Sequence, residues 1–356
     1  MVDVGRATGP RAGGPTRHAP DGVLHRLDDY QQHHRWLALP YAVWRKFGDD
    51  QAGNLSALIA YYAFFSIFPL LLAATTILGY VLGDDPRLQQ RVFDTALGQF
   101  PIIAGHGPAK PLTGNAGGLI IGLVLAVWSG LAVAQVAQQA FNRIYGVPRD
   151  RWPGFLPALR RSVEVVGIGG IGLTGTTLLQ GMVTGGDLWG LNLGPATSLL
   201  TAVGGALLNT ALFVYLFSRL TVRSLRVREV LPGATVTAVA WFVLQQVGVG
   251  LVNHEIAGAQ GTYGTFAVVI GLLFWLYLMA RITLFCAELN TVLAGRLWPR
   301  SVRAMVSGHA ENAADRRAYL SYPQIERQVH NVQVETRIVD KPDPDKQQPP
   351  QVTDHR

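Results

Sequence analysis

Arg281 and Glu288 interrupt, or just follow, an otherwise uncharged run of sequence, and they are the first residues on which chemistry could rest. They lie seven apart, on one face of a helix but two turns separated. Helical side chains lean toward the helix start, so Arg281 points away from Glu288 and a direct pair is not expected. A partner for Arg281 must then come from another element at the same depth, with Glu164 the best opposite charge and Asn142 the alternative. Arg281 reads either as a structural anchor or as a gate or anionic-headgroup contact. A second polar set, Gln135, Gln138, Gln139 and Asn142, recurs at helical spacing in another apolar run, and Asn209, Gln245 and Gln246 add further amides. Amides are costly against lipid, so they face either neighbouring helices or a polar interior. A third set is Tyr62, Ser66 and Pro69. Pro69 has no N–H and crowds the carbonyl of Phe65, which predicts a kink, and Ser66 can satisfy part of the freed backbone. Tyr62 and Ser66 share a face four residues apart. The bend is either a static fit to neighbouring helices or a hinge lining a pathway.

Other chemistry-bearing patterns fail on context. Gly167, Gly169 and Gly172 spell GxGxxG, yet no strand precedes them and the pattern sits inside an apolar run, where Gly169, Gly172 and Gly175 or Thr176 permit close helix packing. His254-Glu255 begins like HExxH, but Gly258 stands where the second histidine belongs. Seven of the nine histidines lie in the two tails, with only His106 and His254 elsewhere. One cysteine, Cys286, excludes an internal disulfide and a cysteine zinc site. No GxSxG elbow or P-loop occurs. The expectation is therefore no metal, no cofactor and no self-contained active site.

The elements that must position these residues are apolar and long. Of 356 residues 49% are hydrophobic and 15% charged, a balance few soluble domains show. A bilayer core of about 30 Å needs roughly 20 apolar residues in a helix. Six stretches qualify: Leu55 to Leu82, about Gly117 to Asn142, Val165 to Gly186, about Thr197 to Ser218, Val230 to His254, and about Thr262 to Leu293 interrupted by Arg281. Alternate connecting segments hold 26 Lys plus Arg against 3. The positive-inside rule then places both termini in the cytoplasm. The fold class is all-α, a polytopic membrane protein of six transmembrane helices. The basic balance of +7 is an orientation signal facing anionic lipid, so no nucleic-acid partner is required. Organisation follows: a polar N-terminal tail over 1–29 without a cleaved signal peptide, an interfacial amphipathic helix over 30–54, a membrane domain over 55–295, and a cytoplasmic, mostly disordered tail over 296–356. The run Val329 to Val339 alternates weakly and could add a strand to a partner, and Leu88, Val92 and Leu97 suggest a short surface helix in the outer loop.

Four ordered motifs carry a family resemblance. Tyr61-Tyr62-Ala63-Phe64-Phe65-Ser66-Ile67-Phe68-Pro69 lies in the first span and Phe141-Asn142-Arg143-Ile144-Tyr145-Gly146 ends the second; Leu231-Pro232-Gly233-Ala234 opens the fifth, and Tyr263-Gly264-Thr265 begins the sixth, which closes as Ala287-Glu288-Leu289-Asn290. Together they resemble the YihY/BrkB family of six-span bacterial inner-membrane proteins, once labelled ribonuclease BN, over roughly residues 40 to 295. The chain departs at Cys286, where that family commonly has Gly. The resemblance implies a plasma-membrane location and a role for which envelope-lipid transport and virulence are proposals. The leading expectation is a transporter or flippase-like protein for an amphiphilic, anionic, lipid-like envelope component, with Tyr62, Ser66, Pro69, Gln135, Gln138, Asn142, Glu164, Arg281 and Glu288 as pathway candidates. The alternative is a non-transporting scaffold that recruits partners through its tails; a membrane-bound ribonuclease ranks third.

The topology has a direct test. In a Cys286→Ala background, a membrane-impermeant thiol reagent on intact cells should label a cysteine at Gly105 and miss one at Gln324. Labelling at Gln324 from outside overturns the orientation.

Overall fold

The computed structural model describes residues 21–81, 116–184, 195–263, 266–307, 310, 312–327 and 334–338. These form ten α-helices and a short 3-10 turn, with no strand among the described residues. Two short helices, α1 (Asp21–His33) and α2 (Arg35–Asp49), precede six long ones: α3 (Ala52–Val81), α4 (Ala116–Ile144), α5 (Phe155–Thr184), α6 (Pro195–Leu220), α7 (Val227–Tyr263) and α8 (Phe266–Ala294). Two more, α9 (Arg303–Ser307) and α10 (Ala313–Ile325), follow them. Lipid offers no partner for a backbone N–H or C=O, so an apolar run of this length must close its own hydrogen bonds as a helix. At 26 to 37 residues the long helices reach roughly 40–55 Å, more than the hydrocarbon is thick, and therefore tilt or project beyond it.

Five of them hold a stretch long and apolar enough to cross a membrane: Ala52–Leu70, Gly122–Ile144, Val203–Leu220, Val227–Gln245 and Val269–Ala294. The sixth long helix, α5, opens with Arg160, Arg161 and Glu164 before its charge-free part begins at Val165. Each long helix packs on the next in sequence, and α8 closes on α3, giving a ring that α4 crosses to touch α6 and α8. Large apolar side chains such as Phe68, Trp128, Ile171, Leu207 and Phe274 face outward, as expected where lipid is the solvent. Inside the ring, Phe141, Ile144, Phe213, Phe217 and Leu284 form the main core, and Ile67, Leu272, Trp275 and Met279 a second.

The segments rich in arginine gather at one end. Arg45 donates to the Tyr319 hydroxyl at 3.0 Å, Arg143 meets Glu326 at 3.4 Å, Arg223 donates to the Tyr145 carbonyl at 3.4 Å, and Arg327 meets Asp150 at 2.7 Å. Residues from α2, the α4–α5 and α6–α7 connections and the C-terminal segment thus share one end of the bundle, as the alternation of charge along the chain requires.

Several sequence expectations need correction. The segment 30–54 is not one interfacial helix: α1 ends at His33, α2 ends at Asp49, and α3 starts at Ala52. The described residues of the tail up to Arg327 are folded, because Arg300 and Asp315 give them buried charges to close on. Residues 334–338 lack regular structure, while the rest of the expected strand, the outer-loop helix and the motif residues Gly264 and Thr265 lie outside the described residues. Helix α3 continues through Pro69, and the Ser66 hydroxyl donates to the Ala63 carbonyl at 2.8 Å, not to that of Phe65. Of the two residues that share a face, Ser66 is buried and Tyr62 is 37% exposed.

Glycines mark where helices approach closest. A Cβ at Gly172 would stand 2.7 Å from Leu212, and one at Gly169 3.2 Å from Leu216, so these two glycines of the GxGxxG pattern pack α5 on α6, while Gly167 meets nothing within 4 Å. At Gly233 the approach is tighter, with the Cys286 carbonyl oxygen 2.2 Å from where a Cβ would be. Gly233→Ala should therefore push α7 off α8 and cost about 2 kcal/mol or more, read as a lower melting temperature of the detergent-purified protein. Gly170→Ala, which meets nothing within 4 Å, should leave it unchanged. Equal effects of the two would refute the close-approach reading.

Candidate functional site

At the basic end of the ring a lysine enters from outside it. Helix α2 buries Ala38, Ala42, Val43 and Phe47, and packs Ala42 and Val43 against Val292 of α8. One turn before its end, this same face carries Lys46. The Lys46 Nζ lies 2.5 Å from Asp50 Oδ2, 2.9 Å from Glu288 Oε2 and 3.0 Å from the Ile144 carbonyl. Glu288 is completely buried. One ammonium therefore joins α2, the end of α4 and the middle of the last turns of α8. Burial works against the charge on Lys46, but the Glu288 and Asp50 carboxylates outweigh it and hold the ammonium above its ordinary pKa. Thr291 adds a hydroxyl donor to Glu288 Oε2 at 3.2 Å.

Two turns of hydrogen bonding surround this triad. Asn290 Oδ1 accepts the Gly233 N–H at 2.6 Å, and its Nδ2 donates to the Tyr145 hydroxyl at 3.2 Å. Asn142 Oδ1 accepts from the Thr221 hydroxyl at 3.2 Å and the Val222 N–H at 2.8 Å, which seals the end of α6. Gly146, at φ +66°, makes the left-handed turn that ends α4. Three of the four motifs quoted above thus meet at one place.

The other predicted residues fall elsewhere. Arg281 is exposed, donates to the Tyr277 hydroxyl at 2.8 Å and lies over the Phe47 and Tyr277 rings. Neither Glu164 nor Asn142 is its partner. Glu164 pairs with Arg219 of α6 and with Arg160 at 3.3 Å, because the start of α5 packs on the end of α6. Gln138 is buried and donates to the Ser162 hydroxyl at 2.8 Å, an α4–α5 tie, whereas Gln135 is half-buried and Gln139 exposed. Asn209 accepts from Thr176 at 3.3 Å, tying α6 to α5. Gln138 and Asn209 thus serve helix–helix contacts. Glu288 was singled out by sequence; Lys46 was missed, because in a segment of mixed charge it reads as a snorkelling residue. The signal was Asp50, one helical turn on, in a chain with only four lysines.

A second ion cluster lies beside the first. Arg300 is fully buried, with Nε 2.9 Å from Asp315 and Nη1 2.9 Å from Asp49 and 3.2 Å from the Tyr322 hydroxyl. Burial opposes its charge, but Tyr322, Asp315 and Asp49 together hold its pKa above the ordinary value. Asp28 of α1 accepts from the Ser301 hydroxyl at 2.8 Å and the Val302 N–H at 2.7 Å. Among the described residues no group of three or more His, Cys, Asp or Glu could hold a metal ion.

The family model described as "Virulence factor BrkB" matches residues 43–309, a span that holds the triad, Arg300 and all six long helices. The chain belongs to the BrkB family. Among its BrkB-like relatives, the Escherichia coli (strain K12) "Inner membrane protein YhjD" is 25% identical over 265 residues, covering 68% of this chain and 77% of that one. A "UPF0761 membrane protein" of Pseudomonas aeruginosa (strain LESB58) is 28% identical over 267 residues, 72% of this chain, which spans 62% of that relative's length. The Bacillus subtilis (strain 168) protein YfkH, whose name contains the words ribonuclease-like, is 25% identical over 68% of this chain and 90% of its own. No solved structure matches the chain. This BrkB-family chain is a multi-pass protein of the bacterial inner membrane.

The triad has an asymmetric signature. Lys46→Met leaves two carboxylates buried without their cation and should cost about 3–5 kcal/mol, whereas Glu288→Gln keeps the Lys46–Asp50 pair and should cost less. Thermal unfolding of the detergent-purified variants measures both. A larger loss in Glu288→Gln than in Lys46→Met overturns this account of the cluster.

Proposed function

We propose that this BrkB-family protein moves an amphiphilic, anionic, lipid-like component of the envelope across the inner membrane. In this reading six helices span, the arginine-rich end and both termini face the cytoplasm, and the protein has no catalytic site of its own. The observation that carries it is Glu288, a carboxylate with no solvent exposure on a membrane-spanning helix, neutralised by a lysine from a helix outside the ring. Ionisable residues inside membrane segments are expensive and tend to mark pathways and their gates. A pair formed between the ring and an added helix opens only when α2 shifts against α8, which ties the state of the pair to the position of that helix. That is the property an alternating gate needs. The name of YfkH suggests ribonuclease chemistry for that relative. The described part of this chain offers no metal cluster to support it.

A scaffold is the second reading, and the folded tail favours it. Arg300, Asp315 and Asn312 build a docked C-terminal segment whose outer arginines, Arg316 and Arg317, are exposed. A surface of that kind can recruit a cytoplasmic partner without any transport.

Reconstitution separates the two. Liposomes carrying the purified protein and a fluorescent anionic phospholipid should transfer the probe between leaflets faster than protein-free liposomes, by dithionite quenching. Glu288→Gln should slow that transfer about ten-fold with its melting temperature still well above the assay temperature. Transfer at the protein-free rate by correctly folded wild-type protein overturns the transport reading and leaves the scaffold.

A further inference from the structure

Where α5 begins and α6 ends, the bundle has an open cleft of about 480 Å³ lined by Leu156, Pro157, Arg160, Arg161, Glu164 and Arg219. Three guanidinium groups face one carboxylate there, a local excess of two positive charges. Glu164 bridges Arg219 and Arg160, which holds the two guanidiniums side by side, while Arg161 Nη1 is anchored on the Thr221 carbonyl at 3.4 Å. Arg219 also hydrogen-bonds Tyr215, and since each guanidinium has five N–H donors, these contacts still leave donors of each for an anion. Arg160 is 83% exposed.

The surroundings specify the kind of anion. Below the arginines along α5, Val163, Val166, Ile168 and Ile171 are exposed and apolar, and Phe155 and Leu156 are exposed above them. The cleft therefore sits where a charged band meets an apolar belt on the outside of the ring. A free phosphate would use only the arginines. A phospholipid headgroup uses the arginines for its phosphate and the belt for its chains, and basic pockets between spanning helices bind such headgroups. The arginines also lie at the same end of the bundle as the other basic segments, which matches the leaflet where anionic lipid meets positive charge.

We infer that this cleft binds the headgroup of an anionic phospholipid, with Arg160 and Arg219 on the phosphate and Arg161 completing the charge. Snorkelling alone accounts for one exposed arginine, but not for two held side by side by a shared carboxylate from two different helices. The site stands independently of transport, since a lipid can be held by a protein that moves nothing.

The test uses the full-length protein in detergent, titrated with phosphatidylglycerol and, separately, phosphatidylcholine, with bound lipid counted by native mass spectrometry. Phosphatidylglycerol should bind at least ten-fold tighter. Arg160→Glu, at an exposed position that folding does not depend on, should reduce that preference at least five-fold, and Arg160→Ala with Arg219→Ala should abolish it. Arg226→Ala with Arg228→Ala removes the same charge from the same end of the bundle and should leave it intact. Glycerol phosphate at millimolar concentration should fail to displace the lipid. Equal binding of the two lipids, equal loss in the control pair, retention in Arg160→Glu, or displacement by glycerol phosphate each overturns the assignment. Because none of these readouts requires leaflet transfer, failure here and failure of the transport reading are distinguishable.

Discussion

The Lys46 ammonium, closed between Asp50 and Glu288, is the contact on which the rest of this structure depends. Three ionisable groups taken from water into the end of a membrane bundle carry a desolvation penalty of several kcal/mol each, which their mutual attraction offsets only in good geometry. That geometry requires α2 to lie against α8 with its buried face turned inward, and α4 to end where the Ile144 carbonyl can accept the third N–H. The position of α2, the end of α4 and the last turns of α8 therefore satisfy a single condition. A different seating of any of them would leave a buried charge without its partner.

Close packing around the triad follows from the same demand. To keep water from Glu288, α7 must press against α8, and it does so at Gly233, where no side chain intervenes and the backbone N–H reaches Asn290. Asn290 in turn fixes Tyr145 at the end of α4. The amide and hydroxyl of these residues satisfy polar groups that would otherwise be buried without partners, each at a cost of about 1–3 kcal/mol. Motifs far apart in the chain are thus successive layers of one plug.

How much of this was legible in the sequence depends on what kind of interaction set each feature. The long helices were, because lipid leaves an apolar run of that length with no alternative; their positions follow the hydropathy closely. Glu288 was, because a carboxylate in such a run is conspicuous on energetic grounds alone. Its partner was not. Lys46 lies in a segment of mixed charge and aromatic residues, and nothing local distinguishes a lysine that snorkels from one that turns inward; only the packing of α2 on α8 decides. The same holds for Glu164, whose neighbour across the α5–α6 contact is Arg219 and not Arg281, since depth in a membrane can be read from sequence but adjacency around a ring cannot. The tail was misread for a different reason. Its sequence is polar up to Arg327, as disordered segments are, yet two of its charges, Arg300 and Asp315, are buried together and supply the closure that composition does not reveal.

The two ion clusters meet through adjacent carboxylates. Asp49 ends α2 and Asp50 caps it; consecutive helical residues point about 100° apart, so one reaches Arg300 and the other Lys46. Neither cluster can be seated without α2 in place, and α2 cannot be withdrawn from one while keeping its contact with the other. A displacement that takes Lys46 from Glu288 also takes Asp49 from Arg300, leaving a fully buried guanidinium with only Asp315 and Tyr322. In the reverse direction, pulling the tail away takes Arg300 from Asp49 and leaves that carboxylate with Arg45 of its own helix at 3.7 Å. Both contacts fall on one short helix, so the folded tail and the charged centre of the bundle are seated by the same element, through two neighbouring carboxylates.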